Sequence, residues 1–302
     1  MEMQVDVIDL GFQGTEGTIA AFLARSGDGC LLVETGPEST RERLVEELSA
    51  RGVEPGDLAA VFVTHIHLDH AGAAGWFARQ GVPVHVHPRG ARHLVDPARL
   101  VESARGVYGD RFDTLWGGME PAPEALVRPL ADGATVAVAG LEVEAVETPG
   151  HAFHHHAYRI GGELFTGDAA GARLGASAFL SVTSAPPQFD LEHTLASIDK
   201  LAGLDADRLW LTHFGAVEDP RRHLADYREA VELNAAFLRD RVREGMDSEA
   251  LGVAYGAFQL EQAYRLGMPP SLWRDYEAIN GAGMCAEGMR LYWERQFAEK
   301  RS

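Results

Sequence analysis

Over the first two thirds of the chain, short apolar runs alternate with turns rich in Gly and Pro. Runs at 4–10, 19–24 and 30–34 predict strands, and 42–50 predicts an amphipathic helix. Residues 59–63 form a short β-rich run of the kind buried on both faces. A helix over 71–79 and a strand over 84–87 follow. Further strands are predicted at 135–138, 141–146, 157–160 and 164–165, with Gly161-Gly162 as a two-residue hairpin turn between the last two. A helix over 195–201 and a strand over 209–211 complete this part.

Near Asp219-Pro220 the texture becomes helical. Asp219 is placed to cap a helix with Pro220 at its first position. Leu224, Tyr227, Val231, Leu238 and Val242 fall on one face of it, and Gly245 can end it. Further helices are predicted at 248–266, 270–279 and 283–299. We therefore divide the chain into an α/β domain over 1–219 and a C-terminal helical subdomain over 220–302. The segment 88–129 carries Tyr108, Phe112, Trp116 and Met119, and reads either as a partly helical excursion at a site mouth or as core-covering helices.

Composition narrows the classes. The chain has 302 residues, 46% hydrophobic and 24% charged, which excludes general disorder, collagen and coiled coil. The formal net charge is −18, which argues against nucleic-acid and membrane partners. The two cysteines, Cys30 and Cys285, read as buried free thiols and imply a reducing compartment. With no leader pattern and no apolar run of membrane length, the expected location is cytoplasmic.

The chemistry lies where the apolar runs end. Thr64-His65-Ile66-His67-Leu68-Asp69-His70 follows the run 59–63. Residues i and i+2 on an extended chain project to one side, so His65 and His67 can grip one cation; Asp69 and His70, after the turn, can grip a second. His151 follows 141–146 through Thr148-Pro149-Gly150, Asp168 follows Phe165-Thr166-Gly167, and His213 follows 209–211. Sites in layered α/β folds gather at such strand ends. Taken singly, each histidine reads more simply as a core or surface residue. Together, five histidines and two aspartates are too many for one structural zinc and suit two ions. Nitrogen and oxygen donors without thiolate fit Zn, Fe or Mn. His85 and His87 alternate on a strand, with His87 near the site; His93, His193 and His223 read as surface residues. Of His154, His155 and His156, most are expected outside direct metal contact, with His155 bracing the site or touching substrate.

These residues resemble the metallo-β-lactamase superfamily over about 5–219, with five motifs in the family's order. Leu32-Val33-Glu34-Thr35-Gly36 looks like the first, with Glu34 where the family has Asp. The His-x-His-x-Asp-His run, His151, Asp168 and His213 match the other four. The resemblance implies a four-layer αββα sandwich with a C-terminal helical extension. It implies one ion on His65, His67 and His151, a second on Asp69, His70 and His213, and Asp168 bridging, with Asp69 and Asp168 as the catalytic carboxylates. The motifs around His151 and Asp168 look most like glyoxalase II and its relatives. Arg290, Arg295 and Lys300 do not match that enzyme's basic glutathione-binding spacing, and Ala169-Ala170-Gly171 lacks the tyrosine that marks an acyl-homoserine lactonase.

The implied reaction is hydrolysis of a small ester, thioester or lactone by a hydroxide shared between two divalent ions, most simply zinc. The alternatives are a mononuclear iron persulfide dioxygenase, a phosphodiesterase or nuclease, and a non-catalytic metal-binding module. The helical tail offers a surface through which the chain could form a homodimer.

Overall fold

The computed structural model of the protein describes residues 3–299, and Lys300 lies outside them. The chain divides into two compact units. The first runs through Glu147 and takes in His154–Gly167; the second holds Thr148–Phe153 and the chain from Asp168 onward.

In the first unit, β1 (Gln4–Asp9), β2 (Ala20–Ser26), β3 (Gly29–Val33), α1 (Arg41–Ala50), β4 (Leu58–Phe62), α2 (Leu68–Ala71), α3 (Ala74–Arg79) and β5 (Val84–Val86) follow in order. Then come α4 (Pro88–Val95), α5 (Ala98–Tyr108), α6 (Phe112–Trp116), β6 (Val127–Pro129), β7 (Thr135–Val138), β8 (Leu141–Glu147), β9 (His156–Ile160) and β10 (Glu163–Gly167). One mixed sheet has the order β1-β2-β3-β4-β5-β6. Its first three strands are antiparallel and the rest parallel. The parallel part is built from runs such as Leu31–Val33 and Ala60–Phe62 that are buried throughout, as strands covered on both faces must be. Its register sets Val33 opposite Phe62 and Phe62 opposite His85, so these strands end in line.

Strands β7–β10 form an antiparallel meander. Two-residue turns at Ala139-Gly140 and Gly161-Gly162 connect its hairpins, the first with positive φ at both positions. The meander packs on the first sheet through Phe165 against Phe22 (5.5 Å between ring centroids) and Tyr158 against Phe62 (5.2 Å). The Tyr158 hydroxyl donates to the Val63 carbonyl at 3.0 Å. Helices α1, α3 and α4 lie against β1, β5 and β6. Sheets face to face with helices outside are the layers the sequence predicts.

The second unit holds α7 (Leu191–Ala202), β11 (Arg208–Leu211), β12 (Gly215–Val217), α8 (Pro220–Arg243), α9 (Ser248–Arg265), α10 (Trp273–Ile279) and α11 (Ala282–Glu299). β11 and β12 form an antiparallel hairpin. The Asp219 carboxylate caps α8 by accepting the Arg222 N–H at 3.1 Å. The α8 stripe Leu224, Tyr227, Val231 and Leu238 is buried as predicted, and α8, α9 and α11 pack together on it. Gly245, at φ +78, follows the helix end.

Three differences have physical causes. The predicted helix 71–79 is broken at Ala73, which leaves helical dihedrals (φ −91, ψ 1) and turns its N–H to the Gly36 carbonyl at 3.2 Å. The segment 88–129 holds three helices and β6: Phe112 is fully buried and Trp116 stacks on Phe12 at 5.3 Å, while α5 buries none of its side chains. β6 and β12 have three residues each, too few to show alternation.

Candidate metal centre

Each unit carries its own half of the predicted constellation. In the first unit, β4 stops at Phe62 and the backbone carries His65 and His67 onto one side, with His65 Nε2 2.9 Å from His67 Nδ1. His67 is the N-cap of α2, whose single turn holds Asp69 and His70, with Asp69 Oδ2 3.5 Å from His70 Nε2. A ligand atom of His65 lies within 4.8 Å of one on His67 and of one on His70.

Glu34 organises this half from behind. It is fully buried and sits at φ +66, a conformation uncommon for a residue with a side chain. Its backbone N–H donates to the Phe62 carbonyl at 2.8 Å, pinning it beside the end of β4. Its Oε1 accepts the Thr64 hydroxyl at 2.5 Å and faces His70 Nδ1 at 3.0 Å, while Oε2 accepts the Thr64 N–H at 3.2 Å. A carboxylate only accepts, so His70 carries its proton on Nδ1 and keeps the Nε2 lone pair for Asp69's side. The Thr64 hydroxyl has spent its proton on Glu34 and accepts from His65 Nδ1 at 3.0 Å, which leaves a lone pair on His65 Nε2 as well. Thr35 donates from both N and Oγ1 to the His70 carbonyl, at 2.9 and 3.0 Å. Glu34 thus fills the place the sequence marks as a departure.

The neighbouring histidines sort by contact. His155 is fully buried, its ring 4.8 Å from that of His65, so it braces that ligand and is closed to substrate. A side chain at Gly167 would strike both Thr64 and His155, and glycine at φ +49 removes the conflict. His87 accepts the Arg89 N–H on Nδ1 and pairs with Glu147 Oε1 through Nε2 at 2.9 Å, leaving it no nitrogen for a metal. His85 stacks on Phe62 at 4.5 Å, and burial lowers its pKa to about 4. His193 is exposed as predicted. His223 is not: it is buried, it donates from Nε2 to the Ala170 carbonyl at 2.9 Å, and burial lowers its pKa to about 4. The sequence carried that signal, because 223 shares a helical face with Tyr227 and Asn234.

In the second unit, the loop bearing His151 is tied to the start of α7. The Asp190 N–H donates to the Gly150 carbonyl at 2.9 Å, and Ser197 Oγ donates to the Pro149 carbonyl at 2.6 Å. Gly150, at φ +135, has the Thr194 backbone where a Cβ would stand. His151 donates from Nδ1 to the Thr183 carbonyl at 3.0 Å, which leaves its Nε2 lone pair 3.4 Å from Asp168 Oδ2. His213, which follows β11, has Nε2 3.5 Å from the other oxygen, Asp168 Oδ1. One carboxylate with a different imidazole at each oxygen is the arrangement a bridging ligand needs. Asp168 and His213 are 5% and 2% exposed. Low exposure and preset Nε2 lone pairs suit a dry cation site of nitrogen and oxygen donors, so the residues fit the metal pair the sequence implies.

Sequence reasoning missed Thr64 and Thr183 as orienting groups. Thr64 precedes the His run and could have been suspected; Thr183 acts through a main-chain carbonyl, which no side-chain pattern reveals.

Comparison with known proteins identifies the family and the fold. The model of the metallo-beta-lactamase superfamily matches residues 14–213. The metallo-beta-lactamase fold-containing protein ST1585 of Sulfurisphaera tokodaii is 27% identical over 162 residues, 52% of this chain and 60% of that one. The hydroxyacylglutathione hydrolase of Aeromonas hydrophila is 30% identical over 188 residues, 62% of this chain and 58% of that one. The chain thus spans less than two thirds of either relative. The crystal structure of the metallo-beta-lactamase family protein TTHA1429 from Thermus thermophilus superposes with a TM-score of 0.67 at 22% identity, covering 98% of this chain and 94% of that one.

Proposed function

The chain belongs to the metallo-β-lactamase superfamily, and from that premise we propose that it is a hydrolase of small acyl compounds, an ester, thioester or lactone, working with two divalent cations, zinc in the first place. His65, His67 and His151 would hold one ion, Asp69, His70 and His213 the other, and Asp168 would serve both. The observation that carries this reading is the tautomer control on three of these histidines. Glu34 and Thr64 fix His70 and His65, and the Thr183 carbonyl fixes His151, so that each presents Nε2. Any buried histidine makes one such contact, as His223 does with the Ala170 carbonyl; what supports the reading is that three of them turn Nε2 toward other members of the His and Asp set.

Once bound, the ions supply a hydroxide at neutral pH and a positive charge beside the acyl oxygen. The chain does the rest. Asp168 holds the spacing with one oxygen toward each of two imidazoles. Burial of His65, His70, His151 and His213 keeps bulk water from competing for the ligand nitrogens. The hydroxyacylglutathione hydrolase among the relatives supports the acyl class. The formal charge of −18 favours small substrates over polyanions.

The test is a panel of p-nitrophenyl acetate, an acyl-glutathione thioester and a γ-lactone. We expect turnover of at least one, its loss on dialysis against a chelator, and its return with zinc. Asp168→Asn should lower the rate by on the order of 100-fold or more, beyond the usual cost of losing an orienting group. Hydrolysis that survives chelation would remove the basis of the proposal.

A further inference from the structure

The second unit contains a device that aims two of these ligands, and its frame is the set of C-terminal helices. We propose that Thr183 is a positioning residue for both His151 and Asp168, held in place by α8, α10 and α11; this rests on the metal reading of those two side chains. Thr183 touches them in two ways. Its carbonyl accepts the His151 Nδ1 proton at 3.0 Å, and its hydroxyl donates to the Asp168 carbonyl at 2.8 Å. One residue therefore sets the ring orientation of one ligand and the main-chain position of the other.

Thr183 lies on an irregular segment with no sheet of its own beyond a single bridge between Ala172 and Ser181. Such a segment is positioned by what grips it, and the helices grip it residue by residue. Asn280, just after α10, donates from Nδ2 to Ser181 Oγ at 2.7 Å and to the Val182 carbonyl at 3.0 Å. The Tyr227 hydroxyl, from α8, lies 3.4 Å from Thr183 Oγ1. Ser184 Oγ donates to the Cys285 carbonyl of α11 at 3.0 Å. Gly288 of α11 packs so closely on the Ser184 carbonyl that a methyl group would collide with it. On the other side, Gly171 leaves room for the Tyr227 ring and faces the Ser181 carbonyl. Residues 181 to 184 are thus each held by a helix or by Asn280 between α10 and α11, and Thr183, Ser184, Tyr227 and Asn280 are all buried.

The consequence is specific. Loss of the Thr183 hydroxyl should loosen Asp168 without unfolding the chain, and loss of the Asn280 amide should act through the same segment. The readout is zinc affinity by chelator competition on the full chain, with the melting temperature of the metal-free protein alongside. Thr183→Val, which keeps the shape, should weaken zinc binding by about 10-fold, the low end for losing an orienting group. Thr183→Ser should restore it, and Asn280→Leu should weaken it in the same direction. Leu48→Ala, a buried α1 change in the first unit, should lower the melting temperature and leave zinc affinity alone. Wild-type affinity in Thr183→Val, or no recovery in Thr183→Ser, overturns the inference while the metal centre stands. A wild-type chain that holds no zinc overturns the metal reading and this inference with it.

Discussion

Glu34 holds two of the proposed ligands through one carboxylate: His70 directly, and His65 through the Thr64 hydroxyl. Removing its charge while keeping its size should therefore disturb both. Glu34→Gln is expected to weaken zinc binding by roughly 10-fold, measured by chelator competition; unchanged affinity would mean that Thr64 alone sets the tautomers. At this scale the grouping of His and Asp side chains was legible, because four of them, His65, His67, Asp69 and His70, crowd into a short run and the other three each follow a strand. The role of Glu34 was half legible: its place at a strand end was visible, and its reach to His70 was not. Thr183 was invisible, since a carbonyl belongs to every residue. His223 was misread because a polar name outweighed its helical spacing.

Elements were legible where burial imposes a pattern. β3 and β4 are apolar throughout because both faces are covered, and α8 shows its stripe, its Asp219 cap and its Gly245 stop. The three-residue strands β6 and β12 carry no such pattern, and the break at Ala73 depends on Gly36, distant in sequence. The buried His223 gives α8 a pH signature. Burial, the largest cause, depresses its pKa from the ordinary 6.5 to about 4, so the folded form resists the proton that the unfolded chain accepts. Its contribution to stability is therefore complete above about 6.5 and is lost as the pH falls toward about 4. His223→Gln removes this linkage. The melting temperature of the metal-free variant should fall less between pH 7 and pH 5 than that of the wild type, and equal slopes would contradict the assignment.

For the whole molecule, the sequence conveyed the layered α/β architecture and the helical C-terminal region. What it could not convey is the use the helices are put to, because the bonds from Asn280, Tyr227 and Cys285 to residues 181–184 join positions more than 40 apart in the chain. No helix among the described residues is long and apolar enough to cross a membrane. The two free thiols are buried, and burial pushes that of Cys285 up to about 12, which makes it a poor nucleophile or metal ligand at neutral pH. The proposed chemistry rests on the seven histidine and aspartate side chains. The most direct test is metal content by mass spectrometry on protein purified without added metal, read beside hydrolysis of the acyl panel. The account predicts about two zinc or manganese ions per chain, as a ligand set of this size requires, together with turnover. About one iron per chain without hydrolysis would contradict it and turn attention to oxygen uptake with a persulfide.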